Sequence, residues 1–163
     1  MATGSNMFLK MSSVTGECQE DGHKGEIEVQ QFHMGAQNTA SGGTGMGGGV
    51  GISEFSDFNF TCKLEKAVPT LLKFCADHKP IAEAKFTAVK MGGAGASYVY
   101  FEVTLTNVRV SHVDISGQSN ELGHVPVILN FEKIKIEYKE ENATGGAGAS
   151  SPITWDVKTN KLV

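Results

Sequence analysis

Positive charge is scarce in this chain. Its 14 Lys and Arg stand against 18 Asp and Glu, a formal charge of −4, with no basic stripe of the kind that follows a phosphate backbone. Nucleic-acid binding is therefore disfavoured. Cysteine is also sparse: Cys18, Cys62 and Cys75 form no C-x-x-C pair. An odd number cannot complete a disulfide framework, so the pattern points to a reducing compartment. No apolar run approaches the ~18 residues that mark a membrane helix, and membrane insertion is not expected. Met1 to Asn6 hold no basic region followed by an apolar stretch, so no Sec-type signal is expected and export would need another route. With 163 residues, 40% of them hydrophobic, and only four prolines, the chain has enough to bury one core but little for two.

Catalytic and cofactor chemistry find no firm footing either. Gly43-Thr44-Gly45-Met46-Gly47-Gly48 matches the dinucleotide fingerprint G-x-G-x-x-G. That motif needs a helix directly after it to meet the phosphates, and a strand pattern follows here instead. The five histidines, His23, His33, His78, His112 and His124, lack ligand spacing for a preformed metal site. No serine stands in a G-x-S-x-G elbow. We expect no cofactor, no metal and no enzyme activity, with a hydrolase using His112 or His124 and an acidic partner as the weakest alternative.

What the sequence does have is alternation and glycine. Met7 to Met11 reads as a first strand and Glu17 to Gly25 as a polar loop. The strand from Glu26 to Phe32 places Ile27, Val29 and Gln31 on one face and Glu28, Gln30 and Phe32 on the other. It runs through His33-Met34-Gly35 into a patternless stretch, Ala36 to Gly49. Loops of that length usually touch something outside the domain, so this one reads as a contact arm. Val50 to Cys62 is rich in β-formers, with a bend expected near Ser56-Asp57. Leu64 to His78 is the one convincing helix, with Pro69 suited to its first turn and Lys79-Pro80 ending it.

Ile81 to Lys90 and Ser97 to Asn107 form a hairpin, and Val99, Phe101, Val103 and Leu105 alternate cleanly along its second strand. The apolar parity then slips twice. Val108 and Val110 give way to Val113 and Ile115, which predicts an extra residue near Ser111-His112. Val125 to Phe131 on odd positions gives way to Ile134, Ile136 and Tyr138 on even ones. Strands that change face midway curl a sheet into a barrel. The hexapeptide Gly-Gly-Ala-Gly-Ala-Ser occurs at 92–97 and again at 145–150, each time before a strand, and reads as two flexible hairpin loops. Ile153 to Val157 is the last strand. The expected fold is mainly β: one antiparallel β-barrel domain over residues 6–163, with a single side helix, an extended loop at 36–49 and a flexible terminus at 1–5.

In order along the chain, several pieces resemble the hemolysin-coregulated proteins, the tube subunits of bacterial type VI secretion. They are Met7-Phe8-Leu9-Lys10, Gly16-Glu17, His23 and Glu26-Ile27-Glu28-Val29. Thr70-Leu71-Leu72 with Cys75, Leu129-Asn130-Phe131 with Ile134, Ile136 and Tyr138, and Trp155-Asp156-Val157 complete the series. The resemblance implies a barrel subunit that assembles into homohexameric rings, which stack into a tube. A sheath drives that tube outward with its spike, and the lumen carries and protects effector proteins. It also implies residence in the bacterial cytoplasm followed by secretion. The arm, with Thr39, Ser41, Thr44 and Met46, would reach a neighbouring subunit or ring. Where the family usually has Trp-x-Trp-Gly, with its middle residue facing the lumen, this chain has Phe32-His33-Met34-Gly35, so His33, with Gln31, would contact effectors. The alternative is a monomeric β-barrel that binds a small ligand.

Overall fold

The cleanest alternation in the sequence becomes the longest strand. In the computed structural model, whose described residues are 6–39 and 51–163, β7 covers Ser97–Val113. Before it come β1 (Met7–Met11), β2 (Ile27–His33), β3 (Ala36–Asn38), β4 (Ser53–Phe55), β5 (Phe58–Lys63), helix α1 (Ala67–Asp77) and β6 (Ile81–Met91). After it come β8 (Ser116–Gln118), β9 (Glu121–Asn130), β10 (Lys133–Glu141), β11 (Ala147–Asp156) and β12 (Lys161–Leu162). Strands β7, β6, β1, β2, β5 and β9 pair antiparallel in that order, and the β7–β9 ladder closes them into a six-stranded barrel.

One edge of β7 pairs with β6 from Ser97 to Val108. The other edge changes partner. Phe101 to Thr106 pair with β10, whereas Arg109 to Val113 pair with β9. Between the two ladders Asn107 adopts a left-handed φ of 52°, and the Glu132 N–H donates to the Thr106 carbonyl at 3.1 Å. β10, β11 and β12 thereby leave the barrel as an outer sheet.

The first parity slip is a bulge, with the register shifting between Val110 and His112. The second takes a different form from the expected face switch within one strand. β9 and β10 are separate strands, and the two residues between them, Phe131 and Glu132, carry the chain from barrel to outer sheet. The bend expected at Ser56-Asp57 is the break between β4 and β5.

The barrel is filled with phenylalanine. Phe32, Phe58, Phe86 and Phe101, from four different strands, meet inside it, with Phe32 and Phe86 centroids 4.5 Å apart and those of Phe58 and Phe86 5.5 Å apart. Buried alanines at 84 and 88 on β6 leave space for these rings. α1 adds Ala67, Val68 and Leu71 to the same core. The helix is shorter than Leu64 to His78, and Pro69 still falls in its first turn, where a missing N–H does no harm. Its N-cap, Lys66, has no side-chain cap of its own. A Glu17 carboxylate oxygen from the β1–β2 loop accepts the Lys66 N–H at 3.0 Å instead. That loop also covers a small second core of Phe8, Cys18 and Val89. There the His23 ring stacks on Phe8 at 3.9 Å, held by Glu26 Oε2 at 2.8 Å.

The two Gly-Gly-Ala-Gly-Ala-Ser copies are not independent loops. The first turns between β6 and β7, and the second spans the turn and start of β11. A methyl group on Gly92 would overlap the Gly145 carbonyl, and one on Gly145 would overlap the backbone of Gly93 and Ala94. The Gly93 N–H also donates to Glu141 Oε1 at 2.8 Å. Gly95 and Gly145 share a left-handed φ, at +79° and +82°, yet Gly95 faces open space. Both substitutions to alanine carry the backbone cost of about 1 kcal/mol. Gly145→Ala should lose a further ~1–3 kcal/mol from overpacking, read as a lower urea midpoint than that of Gly95→Ala; equal midpoints would show the loops to be unclasped.

Candidate functional site

The strand that leads to the arm does not keep the simple alternation. On β2 the register shifts between Val29, opposite Cys62, and Gln31, opposite Thr61. Gln30 and Gln31 are both exposed, Phe32 packs against the barrel core and His33 is exposed again. The expected grouping of Gln31 with Ile27 and Val29 is therefore corrected. A bulge lets two glutamines stay in water and returns Phe32 to the interior, where burial of an aromatic ring contributes about 2–3 kcal/mol. Phe32 and Met34 point inward while His33 points out.

Gln31 and His33 thus share the outer face of four neighbouring strands. One row across the ladders runs His33, Asn59, Ile128, His112, and the next runs Gln31, Thr61, Pro126. The Asp114 N–H donates to the Pro126 carbonyl at 3.0 Å, so Asp114 borders the second row. A shallow hollow of 240 Å³ lies over these residues, with His33, His112 and Asp114 in its lining. His33 also lines a 380 Å³ hollow at the root of the arm, together with Gln37 and Glu54. The third outward histidine, His124, bonds Gln30 Oε1 through Nδ1 at 3.1 Å and lines a 160 Å³ hollow with Glu121.

The expected arm begins as structure. β3 and β4 pair through Ala36 with Phe55, Gln37 with Glu54 and Asn38 with Ser53. Thr39 fastens the ladder's end, its hydroxyl donating to the Ile52 carbonyl at 3.1 Å and accepting the Ile52 N–H at 3.2 Å. This base leans on the outer sheet, with Phe55 and Trp155 centroids 5.6 Å apart. Ser41, Thr44 and Met46, and with them the G-x-G-x-x-G match, lie outside the described residues.

The sequence pointed to Gln31 and His33 but assigned no place on this face to His112 or His124. The outward parity of His124, Pro126 and Ile128 on β9 was the available signal. The thiol behind the face, Cys62, is buried, and burial with the nearby Glu65 charge pushes its pKa up to about 12. That is an inert, protonated thiol rather than a nucleophile.

Residues 8–138 match the family model described as type VI secretion system effector, Hcp. The chain belongs to the Hcp family. Protein hcp1 of Pseudomonas aeruginosa is 32% identical over 157 residues, 95% of this chain and 96% of that protein. Hcp1 from Salmonella typhimurium is 26% identical, with a TM-score of 0.75 over 96% of this chain and 97% of that one. A type six secretion system protein of known structure reaches a TM-score of 0.90 over 98% of this chain and 100% of that one. At 23% identity, that last likeness is one of fold.

In this Hcp chain a second polar cluster sits at the foot of α1. Burial pushes the Glu65 pKa up to about 7, aided by the Glu17 and Glu28 charges and opposed by the Glu17 and Ala67 N–H groups. Its Oε1 is buried with no hydrogen-bond partner. The folded chain therefore holds this proton more tightly than the unfolded one, and the stability it supplies is lost as pH rises from 4.5 through about 7. Glu65→Gln should stabilise the protein at pH 8 by about 1 kcal/mol, a figure discounted for the solvent that reaches this half-buried group. The gain should vanish at pH 4. Urea unfolding of both chains at the two pH values checks it, and a pH-independent difference would contradict it.

Proposed function

We propose that the chain is a tube subunit, assembling head-to-tail into rings that stack and carry effector proteins in their lumen. The observation that carries this reading is the uncovered apolar side of the outer sheet. Across the ladders, Ile136 lies opposite Ile153, and Trp155 lies opposite both Ile134 and Leu162, all on one side. Ile134 is buried in the barrel core, but farther out Tyr138 is 48% exposed, Ile153 51% and Leu162 69%. The other side is polar: Lys133 pairs with Asp156, Lys135 with Glu137, and the Ser150 hydroxyl donates to Glu137. A sheet this amphipathic, continuing past its own core, calls for a partner surface. The continuous sheet ends in two unlike edges, β12 and β8, which suits a heterologous contact that closes into a ring.

On this reading Gln31 and His33 face the lumen and its effectors. Thr39, Ser41, Thr44 and Met46 belong to the arm that reaches the next subunit or ring, and sheath and spike proteins engage the assembled tube. A small ligand inside the barrel has little support, because the four phenylalanines fill that space. Ile153→Asp should leave the circular dichroism spectrum intact while shifting sedimentation from ring to monomer. Deleting residues 41–49 should keep the barrel folded but shorten tubes in negative-stain images. Rings of normal stability in the first variant would overturn the assembly surface, and full-length tubes in the second would overturn the arm.

A further inference from the structure

Three of the five histidines stand on the outer face of the β2–β5–β9–β7 sheet, and each shares a hollow with one carboxylate. His33 does so with Glu54 at the arm root, His112 with Asp114 over the central rows, and His124 with Glu121 beside β8. We propose that this face docks lysine- and arginine-rich polypeptide segments at neutral pH and releases them on acidification. The inference rests on the carrier reading above and names the charge of the cargo.

The argument is one of charge and hydrogen bonding. With neutral imidazoles, each hollow presents one carboxylate and at least one ring nitrogen that can accept a hydrogen bond, two in the central hollow where His33 joins His112, a set that suits ammonium and guanidinium groups. Imidazole is the side chain that ordinarily changes charge between about pH 5 and 8. A protonated ring has no acceptor nitrogen and its charge offsets that of the carboxylate in the same hollow, so both attractions are lost together. The remaining charges around the face are the cations Lys63 on β5 and Arg109 on β7, opposite Asn130 and donating to the His78 carbonyl, and the carboxylates Asp57, which accepts from Asn130 Nδ2 at 3.1 Å, and Glu28 and Glu65, near each other at its far end. They leave it negative at neutral pH, as does the chain's charge of −4. A divalent metal is the wrong occupant. His33 and His112 lie three strands apart in one row, about 14 Å, and no cluster of three metal-ligating groups occurs among the described residues.

The test uses the full chain and a fluorescent oligolysine peptide, with oligoglutamate and a Ser/Gly peptide as controls, at pH 8 and pH 5.5 in low salt. Sedimentation of the same samples reports rings separately. We expect oligolysine to bind best at pH 8 and to weaken about tenfold at pH 5.5. The triple variant His33→Gln, His112→Gln, His124→Gln should bind at both pH values with a much smaller difference. Asp114→Asn should weaken binding at pH 8. The proposal is overturned if oligoglutamate or the neutral peptide binds as well at pH 8, if Asp114→Asn changes nothing, or if the triple variant keeps the full pH dependence. The last result would assign the effect to other groups, Glu65 among them. Rings with no pH-dependent binding would sink this inference alone; loss of rings would sink the assembly reading.

Discussion

The divided edge of β7 is the constraint on which the molecule depends. A single strand has one edge to offer on each side, and this one is shared: its first half holds the outer sheet through β10, and its second half closes the barrel through β9. The handover occurs within Asn107 and Val108 and the Phe131-Glu132 corner. Asparagine suits that place because its short polar side chain tolerates a left-handed backbone better than most residues. Had β7 stayed with one partner, either the barrel would stay open or the outer sheet would be lost. Core and exposed apolar surface are thus two stretches of one ladder, which is why Ile134 can be buried while Tyr138, on the same side of β10, stands half in water.

The histidine face follows from the same closure. Joining β9 to β7 brings His112 into line with His33, although they belong to strands far apart in the sequence. It also puts the phenylalanine core directly behind the face. The polar side chains therefore sit on a stiff, packed support rather than on loops, and they cannot retreat inward when their charge changes.

Much of this was legible beforehand. The barrel, the single helix and the bulge at Ser111-His112 were all written in apolar periodicity, because burial on one face leaves a period-two record. What stayed hidden was hidden for physical reasons. The bulge at Gln30-Gln31 lies in polar residues, and two exposed glutamines carry no parity signal. The break between β9 and β10 read as a slip because both strands lie against the same edge of β7 and run in the same direction. The short ladder at the arm's base, three residues a side, is too brief to leave a pattern. The three imidazole–carboxylate hollows were hidden too: His33 and Glu54 are distant in the chain, and although His112 lies near Asp114 and His124 near Glu121, closeness in sequence does not reveal that they line a hollow.

The twin hexapeptides carry a last consequence. Because each fits only where the other lacks side chains, they act as one part made in two pieces: a residue too large in either copy pushes on both hairpins at once. The outer sheet is therefore pinned to the barrel at two places, at the handover along β7 and again at the loop tips, and a body held at two points does not swing. Whatever presses on the exposed side of β10 to β12 is felt by the whole barrel as a rigid push, with no hinge to absorb it.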